Sequence, residues 1–100
     1  MPQQPRRGSG VSDKNIRLAV QKGRMVQAFV AGTYVEGYIS GLDDYHFSLI
    51  PREAPKQVMI LPKGNTPLTI FHTKLLADEP EDLRGEIEKA VEPFRRSLTV

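Results

Sequence analysis

One hundred residues and 11.2 kDa hold one domain and no more. Hydrophobic residues at 39% and charged residues at 26% mark a globular chain rather than a disordered one. The absence of cysteine excludes disulfides and thiolate chemistry, and no apolar run reaches the roughly twenty residues of a membrane-spanning helix.

Residues 1–11, rich in Pro, Gly and Gln, read as a mobile basic tail carrying Arg6 and Arg7. Ser12 predicts an N-cap and Gly23 a stop, with Ile16, Ala19 and Val20 between them at helical spacing. A short amphipathic helix over 13–22 follows. From Met25 the period changes to two. Val26, Ala28 and Val30 alternate with Gln27 and Phe29, a turn falls at Ala31-Gly32, and Val35, Gly37 and Ile39 alternate with Tyr34, Glu36 and Tyr38. These are two antiparallel strands, each with one buried face, and Gly37 in mid-strand predicts a sharp bend or a close backbone approach. Further strands are predicted at 45–50, closed by Pro51, at 57–61 and at 68–72, with a tight loop over 62–67. The expected fold is mainly β: a small, strongly bent five-stranded antiparallel barrel behind an N-terminal helix.

Leu83, Ile87, Ala90, Val91 and Phe94 then form one apolar stripe, which predicts an acidic C-terminal helix ended or kinked near Val91 by Pro93. The chain thus divides into a tail (1–11), a β domain (12–77) and a helix (78–100). The net charge of +2 divides with it, because residues 1–77 carry +5 and residues 78–100 carry −3. A basic body with an acidic appendage fits a polyanion binder whose appendage packs elsewhere or competes for the same surface. The plainer alternative is that the acidic residues only solvate an exposed helix face.

Val26-Gln-Ala-Phe-Val-Ala-Gly32, Val35-Glu-Gly-Tyr-Ile39 and Gly41-Leu-Asp43 are similar to the first sequence motif of the Sm-like (LSm) family. With the helix before them, residues 13–72 most resemble the bacterial RNA chaperones of the Hfq branch. In place of that branch's second motif, Tyr-Lys-His, stands Leu61-Pro-Lys-Gly-Asn65. This looks more like the Arg-Gly loop of archaeal and eukaryotic Sm proteins, with Lys63 where the arginine stands. Lysine keeps the charge and loses the planar fork of a guanidinium.

The resemblance implies a ring of about six or seven subunits, closed by pairing the fourth strand with the fifth strand of the next. It implies binding of single-stranded RNA, for annealing or post-transcriptional regulation. The residues themselves offer no acid/base pair, metal-ligand set or phosphate-cradling glycine motif, so no catalysis, metal, cofactor or small-molecule substrate is expected, and with no signal-like or membrane-spanning segment the expected location is the cytoplasm. The inner pore face would use Asp43, Asp44, Tyr45, His46, Lys63 and Asn65. There Tyr45 stacks a splayed base while Lys63 balances a phosphate. A register shifted by one residue over 45–48 would instead turn Tyr45 or His46 into the core. The opposite face would use Gln27, Phe29, Tyr34 and Tyr38, beside Glu36, unless the C-terminal helix lays Leu83, Ile87, Val91 and Phe94 across these aromatics. Arg17, Lys22 and Arg24 would form a basic rim, with Arg6 and Arg7 as an added arm. From another class, the same fold serves as a ring scaffold for protein partners with no RNA affinity.

Overall fold

The computed structural model describes residues 12–98, so the predicted tail and its Arg6 and Arg7 lie outside the described residues. Helix α1 spans Asp13–Lys22, as predicted. The Ser12 hydroxyl accepts a hydrogen bond from the Asn15 N–H, and Gly23 takes the left-handed conformation that ends the helix. Five strands follow: β1 (Arg24–Val30), β2 (Thr33–Leu42), β3 (His46–Pro51), β4 (Met59–Pro62) and β5 (Leu68–Leu75). Single 3-10 turns occupy Lys63–Asn65 and Leu76–Asp78, and helix α2 covers Glu81–Ser97. Among the described residues no helix is long and apolar enough to cross a membrane.

The strands make one antiparallel sheet in the order β4-β3-β2-β1-β5. The expected barrel is therefore corrected to an open sheet. Strand β4 is only four residues long and pairs with β3 alone, while β5 pairs with β1 at the far end. Register irregularities between Arg24 and Val26, and between Ile39 and Gly41, bend the long central strands. The β1–β2 hairpin closes through Ala31 and Gly32, both at positive φ, which is the two-residue turn whose twist matches its flanking strands. Gly37 stands where a Cβ would lie 2.1 Å from the Ile50 carbonyl oxygen, so the close approach read from its position is real.

Strand β2 is covered on both sides. The pair Ile39–Leu49 belongs to one face, with Val26, Ala28, Phe47 and Leu68 in the same core. The neighbouring pair Tyr38–Ile50 turns the other way and lies under α2, whose Ile87 and Val91 are buried. This explains why Gly37, Tyr38 and Ile39 are buried in succession, which simple alternation does not allow. Helix α2 belongs to the same hydrophobic core as the sheet. It also continues as helix past Pro93, so of the end or kink expected there the end does not occur. Pro93 removes one backbone donor on an exposed side, while Phe94 and Leu98 beyond it pack against the core and hold the last turn.

Candidate nucleic-acid interface

The loop between β2 and β3 is built around Asp43. Its carboxylate accepts backbone N–H bonds from Tyr45 at 2.8 Å and His46 at 2.6 Å, a local turn that aspartate forms readily. Those two bonds, the Tyr45 one foremost, hold the Asp43 carboxyl below its ordinary range. With the loop pinned this way, Phe47 enters the core and both Tyr45 and His46 face solvent. The register left open by the sequence thus comes out with neither ring inside, and Tyr45 is 76% exposed.

The 3-10 turn after β4 packs against this loop. The Lys63 N–H donates to the Tyr45 carbonyl at 2.9 Å, and the Lys63 ammonium donates to the Asp43 carbonyl at 2.7 Å. The same ammonium reaches the Asp13 carboxylate in the first turn of α1 at 3.0 Å. Asp44 and Asn65 are exposed on the two loops. The predicted inner-face residues therefore do converge, but Lys63 has a different task from the one expected. It ties three segments together and is occupied by two oxygens. Asp13, fifty positions away, is the partner that motif spacing had no means of finding.

On the opposite face, Gln27 pairs across the strands with Glu36 and Phe29 with Tyr34. The Phe29 and Tyr34 rings meet at 4.9 Å between centroids, tilted by 56°, and remain 39% and 66% exposed. Beside them a surface depression of about 400 Å³ is lined by Gln27, Tyr34, Glu36, Arg52, Gln57 and Met59. Tyr38, expected outward with this set, is 2% exposed. The reason is α2, which closes the inner half of the face and leaves only the Phe29–Tyr34 end open.

At the entry to α2 lies a largely buried polar cluster that no motif or spacing marks. Tyr38 donates its hydroxyl proton to Glu79 Oε2 at 2.7 Å. Arg52 grips the same carboxylate with two bonds, Nε to Oε2 at 3.0 Å and Nη2 to Oε1 at 2.7 Å. Glu79 is 7% exposed, and the Arg52 guanidinium holds its carboxyl below the ordinary range against the opposing cost of burial. Burial, reinforced by the hydrogen bond to Glu79, pushes the Tyr38 phenol far up. The cluster joins β2, the turn after β3 and the entry to α2, and it fixes the helix over the sheet.

The rim residues are split. Arg17 and Lys22 are exposed on α1, whereas Arg24 is half-buried at the start of β1. Arg24 lines a groove of about 270 Å³ with Asn15, Leu18, Ile70 and His72, between α1 and β5. Comparison with protein families, curated proteins and solved structures finds no match to this chain.

Proposed function

We propose that the chain is an Sm-like ring subunit that binds single-stranded RNA without chemical turnover, in the cytoplasm, to promote annealing or post-transcriptional control. One observation carries the RNA reading: Tyr45 and His46 stand in solvent on a loop immobilised by Asp43 and Lys63. An exposed aromatic ring on a rigid loop, next to a second exposed loop bearing Asn65, is a platform for a splayed base. The ring is supported by the two sheet edges. Strand β4 exposes Ile60, with Val58 just before it, and β5 borders the groove lined by Leu18 and Ile70, so an edge-to-edge contact between copies would satisfy both.

Replacing Tyr45 with alanine is expected to weaken binding of a uridine-rich oligonucleotide by about 1–3 kcal/mol, roughly five- to a hundredfold. The melting temperature should hardly move, because Tyr45 is 76% exposed. Fluorescence anisotropy on the full chain, with a thermal melt of each variant, tests both halves. Equal affinity in the two proteins rules out the platform. The scaffold reading draws its support from Lys63, whose ammonium is taken by Asp13 and Asp43. It predicts no binding tighter than about micromolar at low salt, where phosphate contacts are strongest.

A further inference from the structure

The open end of the opposite face sets two cross-strand pairs of different chemistry side by side. Phe29 pairs with Tyr34 and Gln27 with Glu36, two residues along each strand, so all four lie on one face of the β1–β2 ribbon. The first pair is aromatic, with its rings in contact and Tyr34 largely in solvent. The second is polar. Among the described residues neither the Gln27 nor the Glu36 side chain makes a hydrogen bond, and the Lys74 ammonium stands 3.8 Å from the Glu36 carboxylate. Arg52 lines the same depression of about 400 Å³, but its Nε and Nη2 are committed to Glu79, so Glu36 keeps its capacity to accept.

Such a wall has a flat surface for stacking and an edge that reads donor, acceptor, acceptor. Tyr34 supplies the π face, which any base can use. Next to it the Gln27 amide N–H donates and the two Glu36 oxygens accept. Guanine is the RNA base whose pairing edge is the complement. Its O6 accepts, while N1–H and the 2-amino group donate side by side to a carboxylate. Adenine brings a ring-nitrogen lone pair against the carboxylate, and uracil and cytosine bring a carbonyl, each a repulsion in place of a bond.

We infer that the Phe29–Tyr34 end of the sheet is a guanine-binding site, with Tyr34 as stacking platform, Glu36 as the residue that selects guanine and Gln27 as the donor to O6. Lys74 beside Glu36 offsets the carboxylate, so the phosphate attached to the base is not repelled. The inference rests on the RNA reading above only for the strand that would carry the base. A free guanine nucleotide presents the same edge.

The test uses the full chain in two sets of titrations. Guanosine, inosine and adenosine monophosphates are followed by NMR, and adenine tracts with and without interspersed guanines by fluorescence anisotropy. Inosine lacks only the 2-amino group, so guanosine monophosphate should bind roughly tenfold or more tighter than inosine monophosphate, with adenosine monophosphate weaker again. Glu36→Gln should bring the three within about threefold of one another, because its amide keeps one acceptor oxygen and turns N–H groups toward guanine's donors. Tyr34→Ala should weaken all three alike, since stacking ignores the edge. Guanine preference in the tracts alone assigns the site to an RNA strand, and preference in the mononucleotides alone assigns it to a free nucleotide. A preference that survives Glu36→Gln overturns the role given to Glu36. No preference by the parent in either set overturns the guanine site and leaves the Tyr45 platform, which is read with uridine, standing.

Discussion

Gly37→Ala is expected to cost about 3–4 kcal/mol, a large part of the stability of so small a domain. The added methyl would lie 2.1 Å from the Ile50 carbonyl oxygen and 2.9 Å from its carbon, and neither is the movable end of a side chain. Relief requires β2 and β3 to part at the point where Gly37 opposes Pro51 and Tyr38 opposes Ile50, so packing is lost on both faces at once. Urea unfolding followed by circular dichroism measures the loss. Gly85→Ala is the control: its site in α2 is open, and the same methyl should stabilise by about 0.5–1 kcal/mol through helix propensity. A Gly37→Ala protein as stable as the parent would mean that the two strands do not approach as described.

Breaking the cluster at the entry to α2 is the second large effect. Arg52→Ala leaves the Glu79 carboxylate buried with Tyr38 as its remaining partner in the cluster, and the expected cost is about 3 kcal/mol. The guanidinium is itself about one-third exposed, which keeps the figure at the low end of what severed buried pairs cost. Glu79→Gln keeps an acceptor for Tyr38 and loses the charge, for about 1–2 kcal/mol. The two variants differ most in acid. The carboxyl of Glu79 is held below its ordinary value of 4.5 in the folded state. Its contribution is therefore complete above pH 4.5 and fades as pH falls through the lower folded value. The parent should lose stability across that acid window, and Glu79→Gln should show a flatter profile there. Tyr38 acts in the opposite range. Its raised phenol favours the folded state below pH 10, and the benefit drains away as pH climbs beyond that. Unfolding midpoints measured from acid to alkaline pH resolve the two groups.

What could be read from the chain divides by the distance over which each feature is decided. Helix α1 came out to the residue because its cap, its stripe and its terminating glycine all lie within twelve positions. The hairpin at Ala31-Gly32 and the crowding at Gly37 were equally local. Strand β5 ran three residues past its predicted end at His72, since Thr73 and Lys74 carry no apolar alternation and the extension is fixed by Leu75 pairing with Arg24 of β1. Tyr38 was assigned to the outward set with one alternative kept open, that the apolar stripe of the C-terminal helix covers this face, and at Tyr38 that alternative holds. The partners of Lys63 and Arg52 were illegible because Asp13 and Glu79 are fifty and twenty-seven residues away, and nothing in spacing or composition marks either pair.

These long-range ties also change how the charge pattern is understood. The acidic helix is not an appendage over a basic body, because Ile87 and Val91 share the core and Glu79 is anchored in it. Its first turn carries Glu81 and Asp82, where the helix dipole favours them, and Arg95 and Arg96 sit in its last turn. Part of the −3 balance is thus met by helix electrostatics and by the buried pair. The open portion of that face is reduced to the Phe29–Tyr34 end, so under the proposed function base stacking would be concentrated at Tyr45 and at that remaining strip.

The central claim, a ring that holds single-stranded RNA, is tested most directly by native mass spectrometry of the full chain with and without a uridine-rich oligonucleotide. The account predicts an assembly of about six or seven times the 11.2 kDa chain mass, and one that gains the mass of the oligonucleotide when it is added. A species at 11.2 kDa that is unchanged by the oligonucleotide would contradict it.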